Sequence, residues 1–272
     1  MDGGADAAQN MAIDEAILDT YERGEAGVPP TLRLYGWTTP TYSLGRTQRG
    51  IDPGEVERLV ASGLEVVRRP TGGDAVLHDH ERTYAVVGAL GSQEFPGGVV
   101  ATYARIARAL VASLTALGLR GVASAAAPGP ARGATRSAVC FERLSGCEVT
   151  FGGRKLVGSA QARRRGAFLQ QGSIPIRLDA LRLAEAAGRP VDAGVFTDLA
   201  TAAGREPAAA EVDAALVSGF TEVFGVSLVA ASLSAVEALR AAELRAWRYD
   251  SLAWTVNGRF GERERRWSAA LA

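Results

Sequence analysis

The chain has 272 residues, of which 47% are hydrophobic and 22% are charged, and its 30 basic side chains balance 30 acidic ones to a formal net charge of zero. This composition is typical of a soluble globular protein, and the zero net charge disfavours nucleic-acid binding through bulk electrostatics. No apolar run reaches the roughly 18 residues that span a bilayer, and only two cysteines occur. We therefore expect a cytoplasmic protein without a disulfide framework, acting on neither nucleic acid nor membrane.

The first half of the chain predicts three helices and several short strands. Apolar residues recur at helical spacing from residue 10, and the pattern stops between Gly24 and Pro30. Asp52 as N-cap and Pro53 as first helical residue predict a second helix, and residues 97–117 predict a long third one. Strands are predicted at residues 32–35, 41–44, 64–68, 75–78 and 83–87.

The second half opens with residues 123–136, which are rich in Ala, Gly and Pro and predict a mobile loop beside the functional site. Strands are predicted at residues 147–151, 156–162 and 168–176, with Gly152 and Gly153 as the first hairpin turn. Helices are predicted at residues 178–187, 208–224 and 234–247. Strands interrupted by helices, without repeat or linker, predict a single α+β domain over residues 1–272, with a mixed or antiparallel sheet flanked by helices.

Lys155 is the only lysine in the chain, and every other basic side chain is arginine. An ammonium is a compact charge that exchanges its proton when buried, whereas a guanidinium stays protonated. The retained lysine therefore indicates a task that arginine does not perform, such as steering a nucleophile. Compositional chance is the alternative explanation.

The two cysteines differ in their surroundings. Cys147 alternates with Val149 and Phe151 on one face of a predicted strand, which is typical of a buried core cysteine. Cys140 follows a polar loop at the entry to the sheet, which favours accessibility. A thiol needs a nearby cation to ionise at neutral pH, and the predicted hairpin folds Lys155 back towards Cys140. The two residues form a candidate thiolate–ammonium dyad for covalent acyl transfer.

A glycine-rich segment at residues 68–79 is the second candidate site. Its paired glycines let backbone amides approach a ligand closely, and its two arginines are suited to a phosphate or a carboxylate. The chain contains no Walker loop and no Gly-x-Gly-x-x-Gly motif. An ordinary hairpin between two strands remains the alternative.

His78 and His80 are the only histidines. No second cluster supplies further ligands, so no metal site is predicted. A Ser-His-Asp hydrolase lacks support, because no Gly-x-Ser-x-Gly elbow occurs.

These motifs resemble those of the lipoate–protein ligase A and octanoyltransferase superfamily. Residues 68–79 resemble its Arg-Arg-x-(Ser/Thr)-Gly-Gly-Gly-Ala-Val-x-His-Asp signature. Residues 153–161 resemble its Gly-(Arg/Lys)-Lys-(Ile/Leu)-x-Gly-Ser-Ala-Gln motif, and residues 169–174 resemble the Leu-Gln-His-Gly-Ser-Ile that follows. Residues 10–18 are similar to the first helix of the family, and the region from residue 245 to 254 is similar to its C-terminal end.

Within the superfamily, residues 140–142 resemble the catalytic Cys-Phe-Glu of LipM-type octanoyltransferases, whereas ligases tend to carry Asn-Asp in this region. The resemblance implies the biotin/lipoate protein ligase catalytic-domain fold, with a core at about residues 28–225 between an N-terminal helix and a C-terminal helical extension. It implies Cys140 as the acyl-accepting nucleophile and Lys155 as the residue that lowers its pKa. The implied substrate-binding residues are Arg69, Gly72, Gly73, Asp74, Ala75, Val76, Leu77, His78, Gly158, Ser159 and Ala160.

The resemblance also implies the partners. The donor is octanoyl-acyl carrier protein, the acceptor is a lysine on a lipoyl domain such as glycine cleavage H protein, and no cofactor takes part. Two residues depart from the family pattern: Asp74 replaces the third glycine, which disfavours adenylate binding, and Gln171 replaces the usual histidine, whose role is left open. Three alternatives remain: a lipoate ligase that uses Mg-ATP, an amidotransferase that moves octanoyl between lipoyl domains, and a non-catalytic binding module.

Overall fold

The computed structural model describes residues 4–24, 28–49, 51–124 and 148–258 of the chain. Their strands form one sheet of seven strands and one of three. The strands of the large sheet, in spatial order, are β1 (Gly4–Ala5), β2 (Thr31–Trp37), β6 (Glu81–Ala89), β10 (Ala167–Pro175), β9 (Arg154–Arg164), β8 (Val149–Phe151) and β7 (Val122–Ser124). Those of the small sheet are β4 (Glu65–Arg68), β3 (Thr41–Leu44) and β5 (Val76–His78).

The described ranges also contain eight α-helices and one π-helical turn. The helices are α1 (Ala7–Glu22), α2 (Pro53–Ala61), α3 (Val99–Ala116), α4 (Ala180–Ala187), α5 (Leu199–Ala203), α6 (Ala209–Phe224), α7 (Ala235–Leu244) and α8 (Leu252–Asn257). The π-helical turn, Arg245–Tyr249, continues directly from α7.

Both sheets are mixed. In the large sheet every neighbouring pair is antiparallel except β1 and β2 at one edge. In the small sheet β3 runs parallel to β4 and antiparallel to β5. The predicted α+β class with a mixed sheet flanked by helices is confirmed.

The side-chain alternation along β6 shows why the large sheet is covered on both faces. Tyr84 and Val86 belong to a core cluster with residues of α3 and α6, whereas Ala85 and Val87 belong to a second cluster with residues of α1. Successive residues of a strand point to opposite faces, so this apolar run is buried on both sides. A third cluster joins the small sheet to residues of α2 and α4.

Helix α1 also buries charged side chains, which tie the C-terminal part of the chain to the sheet. Glu15 is fully buried and accepts hydrogen bonds from Arg164, Arg248 and Tyr249. Burial alone would raise the pKa of the Glu15 carboxyl, but Arg248 and Arg164 outweigh burial and lower it to about 2. A buried carboxylate paired in this way stays ionised at neutral pH.

Two local predictions are confirmed in detail. Asp52 caps α2, because its Oδ1 accepts a hydrogen bond from the amide of Glu55 at 2.9 Å. Gly152 and Gly153 connect β8 to β9 with φ angles of +57° and +77°. Positive φ at both central residues is what a two-residue hairpin of the favoured twist requires.

Helix α3 is long and apolar enough to cross a membrane by length and composition, with a mean hydropathy of 1.3 and 39% of its residues buried. The sequence pattern had indicated no such segment. Within the described chain α3 packs against α6, where Gly219 lies so close to Ser113 that a methyl group at Gly219 would meet the serine Oγ at 2.3 Å. Core helices of globular proteins also reach this length and apolar composition. The close packing of α3 against α6 is typical of such a core helix.

Four elements were not predicted from the sequence: β1, β7, α5 and α8. Strand β7 takes residues 122–124, so the start of the loop predicted at 123–136 is a strand, and the rest of that prediction lies outside the described residues. The predicted helix at 234–247 is α7 followed by the π-helical turn. The single-domain prediction with a core at about 28–225 stays a prediction.

Candidate active site

A small cavity of about 30 Å³ lies where β5 of the small sheet meets β9 and β10 of the large one. Six of the predicted substrate-binding residues line it, and they are Arg69, Val76, His78, Gly158, Ser159 and Ala160. The two motifs that are far apart in sequence therefore form one site. The remaining wall comes from α1, β2, β6 and β10, through Met11, Tyr35, Trp37, Thr83, Gln171, Gly172 and Ser173.

The other predicted residues of the glycine-rich segment lie beside this wall. Ala75 and Leu77 are buried in the third core cluster and are not among the residues that line the cavity. Gly72, Gly73 and Asp74 form the turn that leads into β5. Ala75 and Leu77 thus pack the small sheet, and their predicted contact with substrate stays a prediction.

Arg69 holds the glycine-rich turn in place. Its side chain is buried, and its Nη2 donates to the carbonyl oxygens of Gly72 at 2.6 Å and Asp74 at 2.7 Å. Gly73 has a φ of +88°, and a methyl group at the neighbouring Gly45 would meet the Gly73 carbonyl oxygen at 1.8 Å. The turn is therefore closely packed, and its shape depends on glycine at both position 73 and position 45.

Within the described residues, the amides of Gly72 and Gly73 donate no hydrogen bond. They are consequently unused donors in the turn between Arg69 and Val76, two residues that line the cavity.

Arg68 has a structural task. It is fully buried and donates to the carbonyl oxygens of Trp254, Thr255 and Val256 at the end of α8, and to those of Gly45 and Gln48. Burial, with the nearby positive charges of Arg46 and Arg69, lowers its pKa to about 10. The interpretation of this arginine as a phosphate or carboxylate ligand is wrong, because backbone carbonyls occupy its guanidinium.

His78 lies in a buried polar network around Glu81. Its Nδ1 is 2.9 Å from Glu81 Oε1, its Nε2 is 2.7 Å from Ser43 Oγ, and its ring stacks on Trp37 at 4.3 Å. Glu81 also accepts hydrogen bonds from Trp37 and Ser173. Ser43 is fully buried and does not line the cavity. This Ser-His-Glu arrangement therefore fixes the cavity wall and presents no accessible nucleophile.

Lys155 is fully buried, and its ammonium donates to the carboxylate of Glu148, which is also buried. A backbone bridge holds Lys155 from the other side: its amide donates to Val195 at 2.9 Å, and its carbonyl accepts from Thr197 at 2.8 Å. Such burial is costly for an isolated ammonium, and the carboxylate compensates it. Lys155 does not line the small cavity, but its strand β9 also carries Gly158, Ser159 and Ala160, which do.

Cys140 and Cys147 lie outside the described residues. The predicted contact between Cys140 and Lys155, and the assignment of Cys147 to the core, therefore stay predictions.

The serine of the second motif is fixed by a tyrosine that the sequence did not single out. Ser159 Oγ lies 2.7 Å from the hydroxyl of Tyr84, which also accepts a hydrogen bond from Gln170 at 2.9 Å. Burial raises the pKa of Tyr84 to about 12. A methyl group at Gly172 would meet the Tyr84 ring at 2.1 Å, so only glycine leaves room for this contact.

In the described part of the chain, no group of three or more His, Cys, Asp or Glu side chains is arranged to hold a metal ion. His80 instead pairs with Glu206 on the surface.

Sequence reasoning missed Glu148, Trp37 and Glu81. Glu148 directly follows Cys147 and carries no motif of its own. The hairpin predicted at Gly152 and Gly153, which pairs Thr150 with Lys155, was the signal that could have placed Glu148 near the single lysine. Trp37 carries no motif, and only the fold brings it to His78, whereas Glu81 lies three residues after His78 in the chain.

The comparisons with known proteins identify the family of the chain. Residues 6–221 match the model of the lipoyl protein ligase A/B catalytic domain. An octanoyltransferase LipM from Kyrpidia tusciae is 43% identical over 258 residues, which cover 90% of this chain and 93% of the relative. Another from Symbiobacterium thermophilum is 38% identical over 262 residues, which cover 91% and 93%.

A solved structure of a putative lipoate protein ligase from T. acidophilum with bound lipoic acid matches with a TM-score of 0.76 at 22% identity, over 94% of this chain and 96% of that one. At this identity the likeness concerns the fold alone, and it confirms the predicted fold.

Proposed function

The chain belongs to the lipoyl protein ligase A/B catalytic-domain family, within its LipM-type branch, and from this we propose that it is an octanoyltransferase of protein lipoylation. The donor is octanoyl-acyl carrier protein, and the acceptor is a lysine on a lipoyl domain, such as that of glycine cleavage H protein. The similarity to relatives of this activity along nine-tenths of the chain is the observation that carries the proposal. The buried Lys155–Glu148 pair beside the substrate motifs supports it.

In the first step, the Cys140 thiolate attacks the carbonyl carbon of the octanoyl thioester. A new carbon–sulfur bond forms, the bond to the carrier breaks, and the carrier leaves as a thiolate that takes up a proton. The Lys155 ammonium stabilises the attacking thiolate, and Glu148 fixes the position of that ammonium. The unused amides of Gly72 and Gly73 are suited to stabilise the oxyanion that develops.

In the second step, the lysine amine of the acceptor attacks the octanoyl–Cys140 thioester. An amide bond forms, the amine gives up a proton, and the Cys140 thiolate is released for the next cycle. The conversion of a thioester into an amide is downhill, so the reaction requires no nucleotide and no cofactor. The Asp74 carboxylate in the turn favours a mechanism without a nucleotide, because it would repel the phosphates of an adenylate.

The cavity is the proposed entry point of the octanoyl chain, since it lies between the two motifs and apolar side chains contribute much of its wall. Its volume is close to that of a single water molecule, so the wall side chains move when the acyl chain binds. Each buried methylene contributes about 0.8 kcal/mol. We expect hexanoyl transfer to be slower than octanoyl transfer by roughly tenfold or more on this basis.

The test incubates a lipoyl domain with the protein and either octanoyl carrier protein alone or octanoate with Mg-ATP, and measures the mass of the acceptor. Octanoylation is expected with the carrier protein alone, with Cys147→Ala as active as the wild type and Cys140→Ala inactive. Labelling only in the mixture with ATP would identify a ligase. An octanoylated H protein as donor distinguishes the amidotransferase alternative, and no labelling from any donor would favour a binding module.

A further inference from the structure

A chain of hydrogen bonds joins the glycine-rich turn to α1 through Gln171. Thr71 Oγ1 donates to Gln171 Oε1 at 2.7 Å, and Gln171 Nε2 donates to Asp14 Oδ2 at 2.6 Å. Thr71 and Asp14 are fully buried, and Gln171 is 6% exposed. Three separate elements, the turn, β10 and α1, are thus connected by one side-chain amide.

The direction of this relay is fixed by the surroundings of Asp14. The Asp14 carboxylate also accepts hydrogen bonds from Arg33 at 2.7 Å and from the Tyr35 hydroxyl at 2.8 Å. A carboxylate paired with a guanidinium only accepts hydrogen bonds, so the NH₂ group of Gln171 must face Asp14. Its carbonyl oxygen then faces Thr71, and the threonine hydroxyl must be the donor.

The relay reaches the part of the turn that Arg69 does not hold. Arg69 fixes the carbonyls of Gly72 and Asp74, and the amide of Arg46 fixes the Thr71 carbonyl at 2.8 Å. The Thr71–Gln171 bond ties the turn across the site to β10, and Gln171 itself lines the cavity. The orientation of the unused turn amides therefore depends on this bond.

We propose that Gln171 is a positioning residue for acyl transfer: it holds the glycine-rich turn against the acyl cavity through Thr71, and Asp14 sets its orientation. This inference rests on the proposed octanoyltransferase activity. A glutamine amide does not titrate, so Gln171 itself adds no pH dependence to the relay.

The testing variant is Gln171→Glu, which keeps the side-chain shape but replaces the donor with a carboxyl group. The introduced carboxyl group faces the carboxylate of Asp14, a residue of α1. Arg33 and Tyr35 of β2 donate hydrogen bonds to the same carboxylate. Arg69 and His78 lie elsewhere on the cavity wall. It restores the bond to Asp14 only when it is protonated, and the like charge of Asp14 favours that protonated form.

We therefore expect Gln171→Glu to transfer octanoyl at near the wild-type rate at low pH and to lose about tenfold in kcat as the pH rises through the titration of the new carboxyl. The kcat of the wild type should show no such fall as the pH rises. Thr71→Val should lose about tenfold at every pH, while Thr71→Ser, which keeps the hydroxyl, should retain activity. Adding Thr71→Val to Gln171→Glu should remove the pH dependence of kcat, because the relay then ends before the turn.

A Gln171→Glu profile that parallels the wild type, or a fully active Thr71→Val, would overturn the positioning role. Thermal unfolding across the same pH range separates this outcome from failure of the proposed function. The midpoint of Gln171→Glu should fall relative to the wild type as the pH rises, because a carboxyl favoured in its neutral form in the folded state destabilises that state when it ionises. If that fall is observed while even the wild type transfers nothing, the hydrogen-bond relay is right, and the proposed function and the positioning role are both refuted.

Discussion

The buried pair formed by Lys155 and Glu148 makes a quantitative prediction for Glu148→Gln. The two side chains are 1% and 3% exposed, so solvent hardly screens them. Removing one partner of a buried ion pair typically costs 3–5 kcal/mol. For a domain of this size, that corresponds to a fall in the unfolding midpoint on the order of 10 °C.

The assay is thermal unfolding at neutral pH, followed by circular dichroism. The matched control is Glu55→Gln, which removes the partner of Arg58 in a pair whose side chains are 37% and 42% exposed. Exposed pairs contribute little to stability, so the control should shift the midpoint far less. If Glu148→Gln is no less stable than this control, the buried pair does not compensate the Lys155 ammonium, and our reasoning about the site is wrong.

Two further predictions concern packing and acid stability. Gly172→Ala should lower the free energy of unfolding, measured by chemical denaturation, by about 1–3 kcal/mol, because its methyl group would clash with the Tyr84 ring. The control Gly72→Ala should be tolerated, because its methyl group would meet no atom within 4 Å. Equal stability of the two variants would contradict the clash. The Glu15 pKa of about 2 lies below its unfolded value of about 4.3, so its contribution of about 3 kcal/mol is present above pH 4.3 and is lost as the pH falls towards 2. Glu15→Gln should flatten the stability profile in that window, and an unchanged profile would show that Arg248 does not hold the carboxylate.

Much of the fold follows from local patterns in the sequence. The N-cap at Asp52, the paired glycines at 152 and 153 and the strand predicted at residues 83–87 each correspond to an element that the structure contains. The short elements β1, β7, α5 and α8 were missed, because segments of two to six residues carry too little periodicity. Their formation depends on tertiary contacts, as in α8, whose carbonyls are bound by Arg68.

The candidate site was predictable where its residues sit in motifs, and not where the fold supplies them. Both motifs reach one cavity, but Trp37 joins it from a strand that carries no recognisable signature. Local sequence also does not say whether an arginine binds a ligand or the backbone. Arg68 and Arg69 are adjacent in one motif, and both donate to carbonyl oxygens of their own chain.

Intact-mass spectrometry of the protein after mixing with octanoyl carrier protein, without any acceptor, tests the proposed covalent chemistry. We expect one octanoyl group on the wild type and on Cys147→Ala, and none on Cys140→Ala, with slower labelling of Lys155→Arg because a guanidinium does not replace the ammonium bound to Glu148. A wild type that transfers octanoyl to a lipoyl domain yet never carries the group itself, or a Cys140→Ala variant that is labelled as fast as the wild type, would contradict it.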